Sequence, residues 1–126
     1  MSEYWLVTGS NRGIGLALVT QLAARENSII FATVRNTSNL GQLASLVSQY
    51  PNVRPLQLSL EVAGSAQNMA TEIAKVTDHL DIVIANAGIA YDWVPLEKID
   101  LEVAKEHISV NTLGTLSLFQ AVLDLR

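Results

Sequence analysis

Four short apolar runs alternate along this chain with stretches whose apolar residues recur at helical spacing. The apolar runs extend over Tyr4 to Thr8, Ile29 to Val34, Val53 to Leu60 and Asp81 to Ala87. Each has the length of a β-strand, and consecutive apolar residues are typical of strands that are buried on both faces of a sheet. The pattern therefore predicts an α/β fold, a Rossmann-type doubly wound parallel sheet covered by helices on both sides.

The fourth run is followed by one more predicted helix, from about Leu101 to the end of the chain. A length of 126 residues is enough for one domain with its own core. No glycine or proline closes the last helix, and no fifth apolar run follows it. We therefore expect residues 1–126 to form one Rossmann-type unit, an incomplete domain truncated after the fourth strand and the following helix.

Composition excludes several classes of function. Hydrophobic residues make up 49% of the chain and charged residues 16%, which is not the composition of a disordered protein. The net charge of −4 is not accompanied by a basic stripe, so we expect no nucleic-acid partner. The chain has no cysteine, and its two histidines lack a carboxylate cluster, so we expect no metal site.

The amino-terminal sequence bears on location. Its apolar run ends at Thr8 and Gly9 and is preceded by no basic segment, which fits neither a signal peptide nor a membrane span. We expect a cytoplasmic protein with no membrane partner.

The first strand leads directly into the segment Thr8-Gly9-Ser10-Asn11-Arg12-Gly13-Ile14-Gly15, and a helix follows. A pyrophosphate needs backbone N–H groups and the positive end of a helix dipole close to it. We assign Gly9 to the tight turn, Gly13 to the close approach of the phosphate, and Gly15 to the packing of helix on strand. The alternative is a glycine-rich turn that only caps the helix.

The end of the second strand indicates which nucleotide binds. An NAD site usually carries an acid about 20 residues after the last loop glycine, where it binds the ribose 2′-hydroxyl. Here the strand ends Ala32-Thr33-Val34-Arg35-Asn36, so Arg35 takes the place of the acid. A guanidinium group binds a 2′-phosphate bidentately, and Arg12 is a second candidate for that contact. NADP is the predicted cofactor, unless both arginines are ordinary surface residues.

Two asparagine motifs complete a pattern that resembles the short-chain dehydrogenase/reductase family over the whole chain. They are Asn86-Ala87-Gly88 after the fourth strand, and Asn111 within Ser109-Val110-Asn111-Thr112-Leu113-Gly114. The wording of the glycine loop and of Ala32 to Asn36 is most similar to the fungal and bacterial ketoreductase branch that includes norsolorinic acid ketoreductase. The resemblance implies an NADP-dependent oxidoreductase that transfers hydride between NADPH and a ketone or alcohol.

The resemblance also implies roles for individual residues. In the family, the Asn-Ala-Gly segment lines the adenosine-ribose side, and the helix asparagine, matched by Asn111, holds a water that relays protons to a catalytic lysine. An Asp on the third strand often meets the adenine amino group; here Ser59 or Glu61 would have to serve. The positions assigned to the cofactor are Thr8, Gly9, Ser10, Asn11, Arg12, Gly13, Ile14, Gly15, Arg35, Ser59, Asn86, Ala87 and Gly88.

The family's catalytic acid is not in this sequence. That acid is a tyrosine whose pKa is lowered by a lysine four residues later, with a serine that polarises the carbonyl. Tyr4, Tyr50 and Tyr91 are the three tyrosines, and none begins a Tyr-x-x-x-Lys motif. We expect the chain by itself to be inactive, and a complete enzyme to act on a small carbonyl substrate as a homo-oligomer.

Two other functions remain open at this stage. One is a sensing or interaction module that binds NADP without chemistry, and the other is a methyltransferase that shares the strand, loop and helix. The second does not explain why Arg35, Asn86 and Asn111 occur together. Tyr91, Asp92 and Trp93 follow the fourth strand and either border a substrate pocket or pack within a loop. His107 is interpreted as a helix-surface residue and His79 as a solvated turn residue.

Overall fold

The computed structural model describes residues 1–91 and 93–126. Within these ranges four parallel strands form one sheet in the order β3-β2-β1-β4, which confirms the doubly wound fold. The strands are β1 (Glu3–Val7), β2 (Ser28–Val34), β3 (Val53–Gln57) and β4 (Ile82–Ile84). Asp92, which the sequence analysis places either at a substrate pocket or within a packed loop, lies outside the described residues.

Helices connect the strands and cover both faces of the sheet. They are α1 (Gly13–Ala23), α2 (Leu43–Gln49), α3 (Ser65–Ala74), α4 (Leu101–Ile108) and α5 (Gly114–Val122). Short 3₁₀ turns occupy Leu96–Lys98 and Leu123–Leu125. The single last helix that the sequence predicts is interrupted, because a π-helical segment, Ser109–Leu113, joins α4 to α5.

Most of the apolar strand side chains enter one of two apolar layers. On one face, Leu6 and Phe31 pack with α3 and α5 residues such as Met69 and Leu118. On the other face, Ile30, Ala32 and Val34 pack against residues of α1 and α2 such as Val19 and Leu43. Because residues of one strand serve both layers alternately, β2 is apolar at nearly every position, as the consecutive pattern predicts.

The helical segment Leu101–Leu125 meets the length and apolarity of a membrane span. Its residues Leu118, Ala121 and Leu125 are nevertheless buried in the core beside α3. In this structure the segment therefore packs on the sheet.

Two strands are shorter than the apolar runs predict. The backbone N–H groups of Asn86 and Ala87 donate to the Thr8 hydroxyl instead of continuing a ladder beyond Ile84. After β3, Leu58 still donates to the Val34 carbonyl before the chain turns toward α3. Apolarity does not distinguish a strand from the buried segment that follows it.

A charged cluster ties the start of β4 to β1 at the amino end of the sheet. The backbone N–H of Tyr4 donates to the Asp81 carboxylate at 2.7 Å. His79 Nδ1 lies 2.9 Å from Asp78 Oδ1, and its Nε2 lies 3.5 Å from Asp81 Oδ2. The hydrogen bond with Asp78, with the charge of Asp81, raises the pKa of His79 above its ordinary 6.5. The same hydrogen bond lowers the pKa of Asp78.

We predict that stability falls as the pH rises through the pKa of folded His79. A pKa that folding raises gives a stabilisation that is fully present below the unfolded value and is lost above the folded value. The Asp78 contribution has the opposite sign, being present above its unfolded pKa and lost in acid. Urea unfolding of the wild type and of His79→Gln between about pH 6 and 8 tests this. The prediction is wrong if the free energy of unfolding of His79→Gln depends on pH as steeply as that of the wild type. Glu72→Gln, which removes one partner of the exposed Glu72–Lys75 ion pair, is the control.

Candidate functional site

Four hydrogen bonds join the loop after β1 to the segment after β4. The buried Thr8 hydroxyl accepts from the backbone N–H of Asn86 at 3.0 Å and of Ala87 at 2.9 Å. The Asn86 side-chain amide donates to the carbonyls of Thr8 at 3.1 Å and Gly9 at 3.2 Å. The two segments therefore form one rigid unit at the carboxyl edge of the sheet.

Ser10 fixes the same loop to the strands beneath it. Its hydroxyl donates to the Val7 carbonyl at 2.7 Å, and its backbone N–H donates to the Thr33 carbonyl at 2.9 Å. Thr8 and Ser10 are both fully buried. Both were predicted as cofactor-binding residues, and in this structure they hold the loop that would contact the cofactor.

The three loop glycines meet different constraints. Gly9 has φ +66°, and a Cβ there would lie 3.0 Å from Cα of Ala87. Gly13 has φ +57°, and a Cβ there would meet nothing within 4 Å. At Gly15 a Cβ would collide with the Gly9 carbonyl and would lie 2.8 Å from Nδ2 of Asn86. Gly15 thus permits α1 to pack against the glycine loop itself. The sequence analysis had instead assigned Gly15 to packing of the helix on the strand.

A cleft of about 550 Å³ opens along the carboxyl ends of the strands. The predicted residues that line it are Gly9, Asn11, Arg12, Gly13, Ile14, Arg35, Asn86, Ala87 and Gly88. Glu61, named in the sequence analysis as an alternative adenine contact, also lines it, and the lining residues that the sequence analysis did not name for the cofactor are Thr33, Val34, Asn36, Asn39, Leu58, Leu60 and Val110. Most of these directly end or follow a strand, which is the signal that could have identified them.

The charge of the cleft is unevenly distributed. Arg12 and Arg35 are exposed on its wall, and within residues 1–91 and 93–126 neither guanidinium pairs with a carboxylate. The amino end of α1 at Gly13 adds backbone N–H groups and the positive end of a helix dipole. Glu61 is the acid on the same wall. In the same part of the chain, no three His, Asp or Glu residues are grouped to hold a metal ion.

Ser59 lies in a different cavity from the other predicted cofactor residues. Its backbone N–H donates to the Ser65 hydroxyl at 2.8 Å, and it lines a cavity beside α3. Leu58, Leu60 and Glu61 line the cleft instead. The chain turns at Leu60 and Glu61, and this turn leaves Glu61 on the cleft wall while Ser59 stays outside the cleft. Glu61 is therefore the better placed of the two acceptors proposed for the adenine amino group.

Asn111 lies in the π segment and binds the loop after β4. Its Oδ1 accepts from the Ile89 backbone N–H at 2.8 Å, and its Nδ2 donates to the Ile89 carbonyl at 2.8 Å. A π segment inside an α-helix often marks a functional site. Here the side chain holds the loop, so a water relay at this residue would have to use its main chain.

His107 holds the same loop nearer its aromatic residues. Its Nε2 accepts from the Tyr91 backbone N–H at 3.2 Å, and its Nδ1 lies 2.7 Å from the Val103 carbonyl. These partners require the neutral tautomer with the proton on Nδ1. The Tyr91 and His107 rings are also in contact, with centroids 4.7 Å apart. The interpretation of His107 as a plain surface histidine was therefore wrong.

Comparison with known proteins identifies the class that this fold and cleft define. Residues 3–125 match the model of the short chain dehydrogenase family. The chain belongs to the short-chain dehydrogenase family, which confirms the resemblance carried by the glycine loop and the two asparagine motifs.

Similar sequences extend well beyond the length of this chain. A norsolorinic acid ketoreductase of Emericella nidulans is 37% identical over 123 residues, which cover 93% of this chain and 46% of that protein. An uncharacterized oxidoreductase of Schizosaccharomyces pombe is 32% identical over 124 residues, covering 98% of this chain and 49% of that protein. The chain spans about half the length of the curated relatives it matches.

Solved structures share the fold. The NADPH-bound carbonyl reductase from chicken fatty liver superposes with a TM-score of 0.90 at 33% identity, covering 98% of this chain and 48% of that one. The carbonyl reductase Sniffer of D. melanogaster superposes with a TM-score of 0.90 at 27% identity, and the match covers 99% of this chain and 52% of that one.

We predict that Gly15→Ala destabilises the fold, whereas Gly13→Ala chiefly impairs cofactor binding. The methyl group at position 15 meets backbone and should lower the free energy of unfolding by about 3 kcal/mol. The methyl group at position 13 projects into open space, so only backbone strain of about 1 kcal/mol opposes folding. Urea unfolding and NADPH titration of both variants measure the two effects. Equal loss of stability in the two variants would contradict this assignment.

Proposed function

We propose that this chain is the NADP(H)-binding half of a short-chain reductase. In the complete enzyme, hydride passes between NADPH and a ketone or alcohol. The observation that carries the proposal is the cleft, whose wall combines the glycine loop with Arg12 in that loop and Arg35 after β2. Among the described residues neither guanidinium group pairs with a carboxylate. The NADPH-bound state of the similar chicken carbonyl reductase supports the same cofactor.

The cleft favours NADP over NAD for an electrostatic reason. A ribose 2′-phosphate carries about two negative charges near neutral pH, which two fixed cations attract. Arg35 immediately follows β2, where an acid selective for NAD would repel such a phosphate. The residues proposed to bind the cofactor are those already assigned to it that line the cleft, with Asn36 and Asn39 added from the cleft wall. Thr8 and Ser10 support the loop from beneath, and Ser59 is left out of the set.

This chain's own residues bind and orient. The amino end of α1 and the glycine loop receive the pyrophosphate, and the segment from Asn86 to Gly88 borders the nucleotide. NADPH supplies the hydride when bound. Asn111 is proposed to act in proton relay, as its family match implies, and the tyrosine, lysine and serine of that reaction would come from outside these 126 residues.

A small carbonyl compound as substrate, homo-oligomer formation by the complete enzyme and a cytoplasmic location complete the proposal. Leu116 and Phe119 on α5 are exposed and give apolar surface that a second copy or further chain would cover. The alternative, an NADP-binding module without chemistry, shares the cofactor prediction and differs in the activity of the full gene product.

We predict that Arg35→Ala weakens NADPH binding by about 1.5–3 kcal/mol while NADH binding changes little. The reason is the loss of a charge-assisted hydrogen bond to the 2′-phosphate. Isothermal titration with both nucleotides measures the difference, and Arg54→Ala, an exposed arginine on β3, is the matched control. An equal loss for both nucleotides in Arg35→Ala would refute the assignment.

We also predict that the 126-residue chain binds NADPH but does not oxidise it in the presence of a ketone. None of its tyrosines is followed at the required spacing by a lysine that would lower the tyrosine pKa. NADPH absorbance, followed after addition of acetophenone or 2-butanone to the purified chain, provides the test. Ketone-dependent oxidation above the buffer rate would show that another residue serves as the acid.

A further inference from the structure

A second cavity, of about 430 Å³, lies between the loop after β4 and the start of α4. Its lining is almost wholly apolar or aromatic and consists of Ala90, Tyr91, Trp93, Val94, Pro95, Ile99 and His107. Cavities of this size, with apolar walls and a few polar groups, are typical of small-molecule sites. We call it the aromatic cavity.

The side chain of Trp93 is not packed into the core. It is 90% exposed, although an indole ring is one of the largest apolar groups a protein can bury. Tyr91 and Val94 are exposed at the same cavity, and an exposed apolar patch of several residues is typical of a surface that binds a partner or ligand.

The aromatic cavity continues the cofactor cleft along two elements. Gly88 lines the cleft, and Ala90 on the same loop lines the cavity. Val110 lines the cleft, and His107, one turn earlier in the same helical segment, lines the cavity. A molecule in the cavity would therefore lie next to the β4 end of the cleft.

The strand order shows which half of the cofactor this end would receive. Arg35 follows β2 and Gly88 follows β4, and these strands lie on opposite sides of β1. A dinucleotide whose pyrophosphate sits on the loop after β1 extends to both sides. With its 2′-phosphate at Arg35, its nicotinamide half lies on the β4 side, next to the aromatic cavity. On this placement the segment from Asn86 to Gly88 borders the cofactor between its adenosine ribose and its nicotinamide, and not the adenosine-ribose side alone as the family resemblance implies.

We propose that the aromatic cavity binds the flat, apolar, non-reacting part of the carbonyl substrate, so that the substrate class is aromatic ketones. This rests on the proposed function. Trp93 and Tyr91 provide apolar and aromatic surface for a planar ring. His107 is a positioning residue, which keeps the loop in the shape that opens the cavity.

His107 and Asn111 hold the loop at two points. Asn111 binds both polar backbone groups of Ile89, and His107 binds the N–H of Tyr91 while its own Nδ1 is engaged by Val103. In His107→Ala the Tyr91 backbone N–H loses its imidazole acceptor, and the contact between the Tyr91 and His107 rings is lost as well. A glutamine can restore the acceptor, whereas an alanine cannot.

The test is calorimetric titration of the 126-residue chain saturated with NADP⁺. We expect acetophenone to bind at least tenfold more tightly than 2-butanone. Trp93→Ala should weaken acetophenone binding at least fivefold without changing NADP⁺ affinity. Leu96→Ala is the matched control, since Leu96 is 83% exposed on the same loop but lies outside the cavity. His107→Ala should weaken acetophenone binding in the same way, and His107→Gln should recover most of it.

Each alternative result has a distinct meaning. Equal affinity for the two ketones, or an unchanged acetophenone affinity in Trp93→Ala, overturns the substrate assignment while leaving the proposed function intact. Failure of NADP⁺ to bind overturns the proposed function and the substrate assignment with it. Equal loss in His107→Gln and His107→Ala with unchanged NADP⁺ affinity overturns the positioning role of His107.

Discussion

The hydrogen bonding between Thr8 and Asn86 is the constraint on which the rest of the site depends. One buried hydroxyl accepts from two successive backbone N–H groups, and one amide returns two bonds to the loop after β1. These contacts end β4 and leave the chain free to turn outward. They also bring Gly9 so close to Ala87 that a side chain at Gly9 would be crowded. The glycine loop and the Asn-Ala-Gly segment are therefore parts of one hydrogen-bonded structure.

The helical segment from α4 through the π segment holds the loop after β4 in place. The π segment at Ser109–Leu113 carries Asn111, whose side chain binds Ile89, and α4 carries His107, which binds Tyr91. Residues 85–91 after β4 have no regular secondary structure of their own to hold their backbone. Side chains from one helical segment bind Ile89 and Tyr91 there, so this helix shapes the wall between the cleft and the aromatic cavity.

Sequence reasoning was strongest where a residue type leaves few structural options. The strand order, the phosphate loop between β1 and α1, and the place of Arg35 after β2 all followed from the order and spacing of residues. It was weakest at boundaries, because the apolar run up to Leu60 continues beyond the last paired residue of β3, Gln57. Hydrophobicity reports burial, and burial continues after pairing ends.

The sequence alone determined the class of fold, the family and the edge of the sheet at which we expect a nucleotide, because these depend on periodicity, on the spacing of short motifs and on a glycine such as Gly15, where a side chain would collide with the backbone. Only the tertiary structure decided which side chains face the cleft. It turned Ser59 away from it, left Glu61 in it, and gave His107 a backbone partner on a distant loop. Such contacts join residues far apart in the chain, and no local pattern encodes the direction in which a loop side chain points.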